Sequence, residues 1–206
     1  MYLLGDAATG PGVPTAARPV TSARATAGGV PRPAAPGASP EDAPHCITGL
    51  VLPVAFQSSW KPLVEKIEEV RPDVVLALGL AEDRREVTPE LVAINYMDAR
   101  IPDNQGRQPS QTPIEAAGPA AYFSMLPVHR MTSGLRNAGF PAALSYSAGA
   151  FVCNYVMYRL LHHAATANPA MRCGFMHLPG GGSPATRLSP QLLAEAVRVA
   201  VNVICD

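Results

Sequence analysis

Residues 142–178, AALSYSAGAFVCNYVMYRLLHHAATANPAMRCGFMHL, hold a strand, a turn, a helix and a second strand in succession. Ala142–Ser147 reads as a strand, and Ser147-Ala148-Gly149-Ala150 as a turn of small residues. Helical spacing of apolar residues then runs from about Phe151 to Ala165, and Gly174–Leu178 forms a short apolar run. A strand, a crossover helix and a strand make a parallel pair with a right-handed connection. In that geometry the start of the helix and the carboxyl end of the following strand share one edge of the sheet, where open α/β sites lie. Cys153 falls in the first turn of the helix and His177 near the end of the strand.

The same alternation extends outward. Ile47–Val54 is strand-like, and Ser59 offers a helix cap. Trp60, Leu63, Val64, Ile67 and Val70 recur on one helical face until Pro72, and Val74–Leu78 is a continuous apolar run closed by Gly79. Such a run suits a strand covered on both faces. Val92–Tyr96 is strand-like, and a helix from about Pro127 to Ala138 ends at Gly139. A last helix is capped by Ser189 with Pro190 in its first position, and carries Leu193, Ala196, Val197 and Ala200 on one face. These elements predict an α/β fold, a single-domain three-layer α/β/α sandwich with a mainly parallel sheet.

Residues 1–45 differ in kind. They hold eight of the 22 prolines and one aromatic residue, Tyr2, and bury too little apolar area to offset their ordering entropy. The expectation is a low-complexity, flexible segment ahead of a folded domain over 46–206. Three arginines amid the prolines make a poor transit peptide, and no apolar run approaches the ~20 residues of a membrane span. With 16 acidic and 16 basic side chains the net charge is zero, which disfavours nucleic acid and membrane partners. Cys46, Cys153, Cys173 and Cys205 have no metal-ligand spacing, and a chain of 206 residues needs no disulfide staples, so a reducing, cytoplasmic setting is expected.

Two readings of Cys153 stand on position alone. A free cysteine is ordinarily a small buried hydrophobe; one at a helix start has its thiol pKa lowered by the partial positive charge there. His177 supplies the base that cysteine hydrolysis requires, if the two side chains meet. A third polar group would orient the imidazole. Glu90 and Asp98 are the upstream candidates, against the plainer account of a solvated acidic loop that also holds Arg100 and Asp103. Ser145-Tyr146-Ser147-Ala148-Gly149 lacks the first glycine of a serine elbow, His162-His163 has no metalloprotease companion, and Gly180–Ser183 lacks the phosphate-loop pattern.

Four blocks add a resemblance. Thr88-Pro-Glu-Leu-Val-Ala-Ile-Asn-Tyr-Met-Asp-Ala-Arg-Ile-Pro-Asp-Asn104, with Gly106, Gln108 and Pro109, resembles the glutamate-bearing segment of the pyroglutamyl peptidase I family. So do Gly118-Pro-Ala-Ala-Tyr-Phe123 with Leu126-Pro127, Ser147-Ala-Gly-Ala-Phe-Val-Cys-Asn154 and Gly174-Phe-Met-His-Leu-Pro179. The likeness spans roughly residues 47–204. It implies a cysteine omega-peptidase that removes an amino-terminal pyroglutamyl residue from peptides through an acyl-enzyme, with no cofactor or metal. By the same resemblance Cys153 is the nucleophile, His177 the base and then acid, and Glu90 the group that orients it. Arg100 would stabilise negative charge near the thiolate, and Phe151 would face the lactam ring. The resemblance further implies self-association into dimers or tetramers.

The sequence departs from that pattern at its amino-terminal side. The family's Thr-Gly-Phe-x-Pro-Phe-Gly-Gly and Asn-Pro-Ser segments are absent, Leu91 replaces an arginine, and Ala81-Glu82-Asp83-Arg84 replaces Ala-Gly-Gly-Arg. The resemblance implies that the missing opening places a central strand and contacts the lactam. A second reading is therefore a catalytically silent relative whose triad persists without its substrate-holding segment; a third is a cysteine hydrolase of changed acyl specificity.

Overall fold

Val74–Leu78, the most continuous apolar run in the sequence, lies at the centre of the sheet. The computed structural model describes residues 2–4, 46–180 and 188–206. Its elements are β1 (Tyr2–Leu4), β2 (Leu50–Leu52), α1 (Trp60–Val70), β3 (Val74–Ala81), β4 (Thr88–Glu90), β5 (Val92–Ile94), β6 (Ala121–Phe123), α2 (Val128–Asn137), α3 (Val152–Thr166), β7 (Arg172–Pro179) and α4 (Pro190–Cys205). The main sheet has the order β2-β1-β3-β7-β4. It is parallel throughout except for β4, which runs antiparallel to β7, and β5 and β6 form a separate antiparallel pair.

Strand parity divides the core. Val75, Ala77, Cys173 and Phe175 pack with α1 and α3, while Leu76, Leu78, Met176 and Leu178 pack with α2 and α4. Successive side chains point to opposite faces of a strand, so each odd position of β3 and β7 looks toward α3. Both faces are covered, as the apolar runs require, and each fully buried Leu, Phe or Met contributes about 1.5–3 kcal/mol. The fold is thus α/β, a mixed and mostly parallel sheet between two helical layers. Among the described residues no helix is long and apolar enough to cross a membrane.

Several elements differ from expectation. Gly79 does not close β3, which continues to Ala81 because β7 offers ladder partners as far as Pro179. Ser59 is not a cap: its backbone is already helical, and its hydroxyl donates to Phe56 O at 3.3 Å. Ser189 is one, accepting from Leu192 N at 3.2 Å. The expected strand 142–147 is reduced to isolated parallel bridges, Val87 with Ala142 and Glu90 with Ser145. Val87 N donates to Pro141 O, Ala143 N to Val87 O, Ser145 N to Pro89 O and Leu91 N to Ser145 O. The missing rung is the one Pro89 would donate, since proline has no N–H.

The low-complexity expectation for 1–45 fails at Tyr2–Leu4. Those residues pair in parallel with Leu50–Leu52 on one side and Ala77–Gly79 on the other. Three residues suffice there because two strand edges would otherwise face each other with unsatisfied N–H and C=O groups. The remainder of that segment, and Gly181–Ser183 of the loop after β7, lie outside the described residues.

Candidate active site

His177 has odd parity on β7 and is paired with Gly79 of β3, so its ring lies on the α3 face above a residue without a side chain. A Cβ built on Gly79 would stand 3.2 Å from Cys153 Sγ, 3.2 Å from His177 Cδ2 and 2.9 Å from Phe175 Cζ. Thiol and imidazole therefore both overhang Gly79, with Sγ and Cδ2 no further apart than the sum of those two distances. Cys153 is the second residue of α3 and His177 lies near the carboxyl end of β7, but the expected parallel crossover does not join them: 142–147 runs parallel to β4, β4 runs antiparallel to β7, and 142–147 therefore runs against β7.

Antiparallel pairing supplies the third group. Thr88 lies opposite His177, and Glu90 opposite Phe175, so both face the same side as the imidazole. Glu90 is fully buried, and its Oε1 accepts from His177 Nδ1 at 2.7 Å and from Arg84 Nη1 at 2.6 Å. A carboxylate has no proton to give, so Nδ1 carries one and Nε2 is left free to accept. The second oxygen, Oε2, is buried without a hydrogen bond. Burial pushes the Glu90 carboxyl up. The His177 hydrogen bond, the Ser145 hydroxyl and the charges of His177 and Arg84 outweigh it and hold the group below its ordinary value.

The thiol behaves otherwise. Burial first, and then the Glu90 charge, push the Cys153 thiol up to about 12, against opposing effects from Arg84 and its own backbone amide. The depression expected from the helix start is thus opposed by desolvation and by the nearby Glu90 carboxylate, although the Cys153 side chain is only half-buried. The resting group is a thiol, and it needs a base to become a nucleophile. Cys173, buried on the same face of the sheet, is also pushed up to about 12, by burial alone. It reads as packing.

A wall of rings borders the site. Phe151, the residue before α3, meets Phe56 edge-on at 5.3 Å, and Phe56 meets Tyr155 at 5.8 Å. Beside them runs the loop carrying Arg100. Asp103, expected in a solvated loop, is buried: it accepts from Phe56 N, Gln105 N and Arg107 N, each at 2.9 Å. Asp98 N donates to Ala150 O at 3.1 Å, which ties the loop to the turn entering α3. The Asp98 carboxylate accepts from Ser110 and Gln111, so of the two upstream acids it is Glu90 that meets His177. Arg100 is exposed in this loop, and the guanidinium in contact with Glu90 is that of Arg84.

The model for the pyroglutamyl peptidase family matches residues 37–205. The chain belongs to the pyroglutamyl peptidase family. Pyrrolidone-carboxylate peptidase 2 of Photorhabdus laumondii is 49% identical over 157 residues, 75% of this chain and 72% of that protein. The Bacillus subtilis pyrrolidone-carboxylate peptidase is 48% identical over 133 residues, 65% of this chain and 62% of its own length. Among solved structures, pyroglutamyl peptidase I of Bacillus amyloliquefaciens matches with a TM-score of 0.75 at 36% identity, covering 81% of this chain and 83% of the other. The pyrrolidone carboxyl peptidase of Thermococcus litoralis gives 0.71 at 37%, covering 76% of each. Membership makes the chain one of a family of cysteine-type hydrolases.

Against that background, the residues sequence reasoning missed are Arg84, Thr88 and Asp103. Arg84 enters the sequence reading only as the end of the turn Ala81-Glu82-Asp83-Arg84; that it keeps the arginine of Ala-Gly-Gly-Arg, at the carboxyl edge of the sheet, is a usable signal. The His162-His163 pair is occupied structurally: His162 Nδ1 meets Tyr122 Oη at 2.9 Å, and His163 lies edge-on to Trp60. No group of three or more His, Cys, Asp or Glu residues among those described could hold a metal ion.

Proposed function

We propose that the chain is a cysteine omega-peptidase that removes an amino-terminal pyroglutamyl residue from peptides, with Cys153, His177 and Glu90 as its triad. The observation that carries the reading is the Glu90 Oε1 to His177 Nδ1 hydrogen bond of 2.7 Å, on an imidazole whose other edge shares the space over Gly79 with Cys153 Sγ. His177 Nε2 takes the thiol proton as sulfur attacks the pyroglutamyl carbonyl carbon. The C–S bond forms and the carbonyl electron pair moves to oxygen. Collapse breaks the C–N bond, and the departing amine takes the proton held by His177. Water then gives a proton to His177 as it attacks the thioester; pyroglutamate leaves, and Cys153 recovers its proton.

Each part has its physical support. Glu90, held ionised, stabilises the imidazolium that forms in both steps. First-turn amides of α3 have no intrahelical acceptor and can serve the developing oxyanion; the family resemblance assigns Arg100 a part in this, and its loop is tied to the turn entering α3 by the Asp98 N to Ala150 O hydrogen bond. The lactam is neutral and flat, and the Phe151–Phe56 edge offers it an apolar wall. Four free cysteines support a reducing, cytoplasmic setting, and self-association into dimers or tetramers accompanies the reading.

A catalytically impaired relative is the second reading, favoured by the absence of the Thr-Gly-Phe-x-Pro-Phe-Gly-Gly segment from the sequence. Pyroglutamyl, alanyl and prolyl fluorogenic amides separate the two. Release from the pyroglutamyl amide alone, abolished by Cys153→Ala, supports the peptidase. No release from any of them by a folded chain supports the impaired relative.

A further inference from the structure

Among the described residues Arg84 is the one Lys or Arg side chain hydrogen-bonded to the Glu90 carboxylate, and none of the steps above uses it. Its side chain is 25% exposed while the Glu90 side chain is wholly buried. Nη1 donates to Glu90 Oε1 at 2.6 Å and to Thr88 Oγ1, and Nη2 donates to Ser147 O at 3.3 Å. Those partners belong to different parts of the site. Glu90 and Thr88 are the β4 residues beside His177, and Ser147 opens the turn that delivers Cys153 to the start of α3. Arg84 itself ends a turn at the carboxyl end of β3, its N–H donating to Ala81 O at 3.2 Å. One planar fork thus joins the strand that orients the base to the turn that carries the nucleophile. A lysine could supply the charge but not the fork.

We propose that Arg84 is a positioning residue of this site, clamping the Glu90 carboxylate in register with His177 and fixing the Ser147 turn that places Cys153. The proposal rests on the triad reading. The guanidinium adds its charge to the larger effects of His177 and Ser145 that hold the carboxyl below its ordinary value, and its fork fixes where Oε1 stands. The same positive charge is felt at Cys153, where it works against burial and Glu90.

Arg84→Gln and Arg84→Lys test this on the full chain, with pyroglutamyl coumarin amide turnover and iodoacetamide alkylation of Cys153 measured from pH 5 to 10, and thermal melts for the fold. In Arg84→Gln the expected results are a kcat about 10- to 100-fold lower at nearly unchanged KM, and an acidic limb of kcat/KM moved to higher pH. Alkylation at fixed pH should be roughly tenfold slower. Arg84→Lys should recover the alkylation rate more than kcat, because charge returns without the fork. An Arg84→Gln kcat within twofold of wild type with an unmoved pH profile overturns the proposal. So does a variant whose losses track its melting temperature and are fully restored by lysine. If the wild-type chain cleaves no pyroglutamyl amide, the peptidase reading fails by itself, and the alkylation rates still decide the role of Arg84.

Discussion

Replacing Glu90 by glutamine removes a charge while leaving the shape of the site in place. The amide oxygen can stand where Oε1 accepts from His177 and Arg84, and the amide nitrogen then falls at the position of Oε2, beside Ser145. The change therefore isolates the carboxylate charge. At 2.7 Å, an effective dielectric constant of about 20 gives about 6 kcal/mol between a carboxylate and an imidazolium. A neutral hydrogen bond retains about 1–2 kcal/mol of that. The net loss, about 4–5 kcal/mol, falls on the states in which His177 is protonated, which corresponds to roughly 10³- to 10⁴-fold in kcat. KM should barely move. Alkylation responds in the opposite sense: the Glu90 charge raises the thiol's pKa, so Glu90→Gln should make Cys153 react with iodoacetamide at least as fast as wild type. Stopped and continuous fluorogenic assays give the first quantity, and iodoacetamide kinetics the second. A kcat within tenfold of wild type, or an alkylation rate that falls in step with kcat, would refute the reasoning.

Three further outcomes follow from the same geometry. Gly79→Ala puts a methyl 2.9 Å from Phe175 Cζ and 3.2 Å from both reacting groups. Calorimetry should show a loss of about 1–3 kcal/mol from overpacking, and kinetics a fall in kcat larger than that loss of folded protein explains. Glu90 is held below its ordinary value in the fold, so its stabilising contribution is complete above the unfolded value near 4.5 and is lost as pH falls through the folded one. Urea titrations should show this acid-side slope in wild type and a shallower one in Glu90→Gln. Asp103→Ala removes the acceptor of three backbone amides in the loop beside Phe56, and should raise KM for the pyroglutamyl amide several-fold while Cys153 alkylation stays unchanged.

Much of the fold was legible because the apolar runs are long. Val74–Leu78 and Gly174–Leu178 both proved to be strands covered on two faces, and α1, α3 and α4 lie where their periodicity put them. Cys153 and His177 do come to lie over Gly79, though not through the parallel crossover expected, because 142–147 runs antiparallel to β7. What escaped reading was short or depended on partners far along the chain. β1, β4 and β6 have three residues each, too few for a period, and β4 carries a proline that ordinarily argues against a strand. Asp103 looked like a solvated loop acid because three amides that bury it are supplied by the folded backbone. The thiol's acidity was misjudged for a related reason: a helix start is visible in sequence, whereas the burial and the buried carboxylate that oppose it are not.

The central claim is that Cys153 carries the pyroglutamyl group between two chemical steps. Acid quenching during turnover of pyroglutamyl coumarin amide, followed by peptide mass mapping, tests it directly. The account predicts the mass of one pyroglutamyl group on the peptide containing Cys153, and none on those containing Cys46, Cys173 or Cys205. Turnover with that group on any other residue would contradict it.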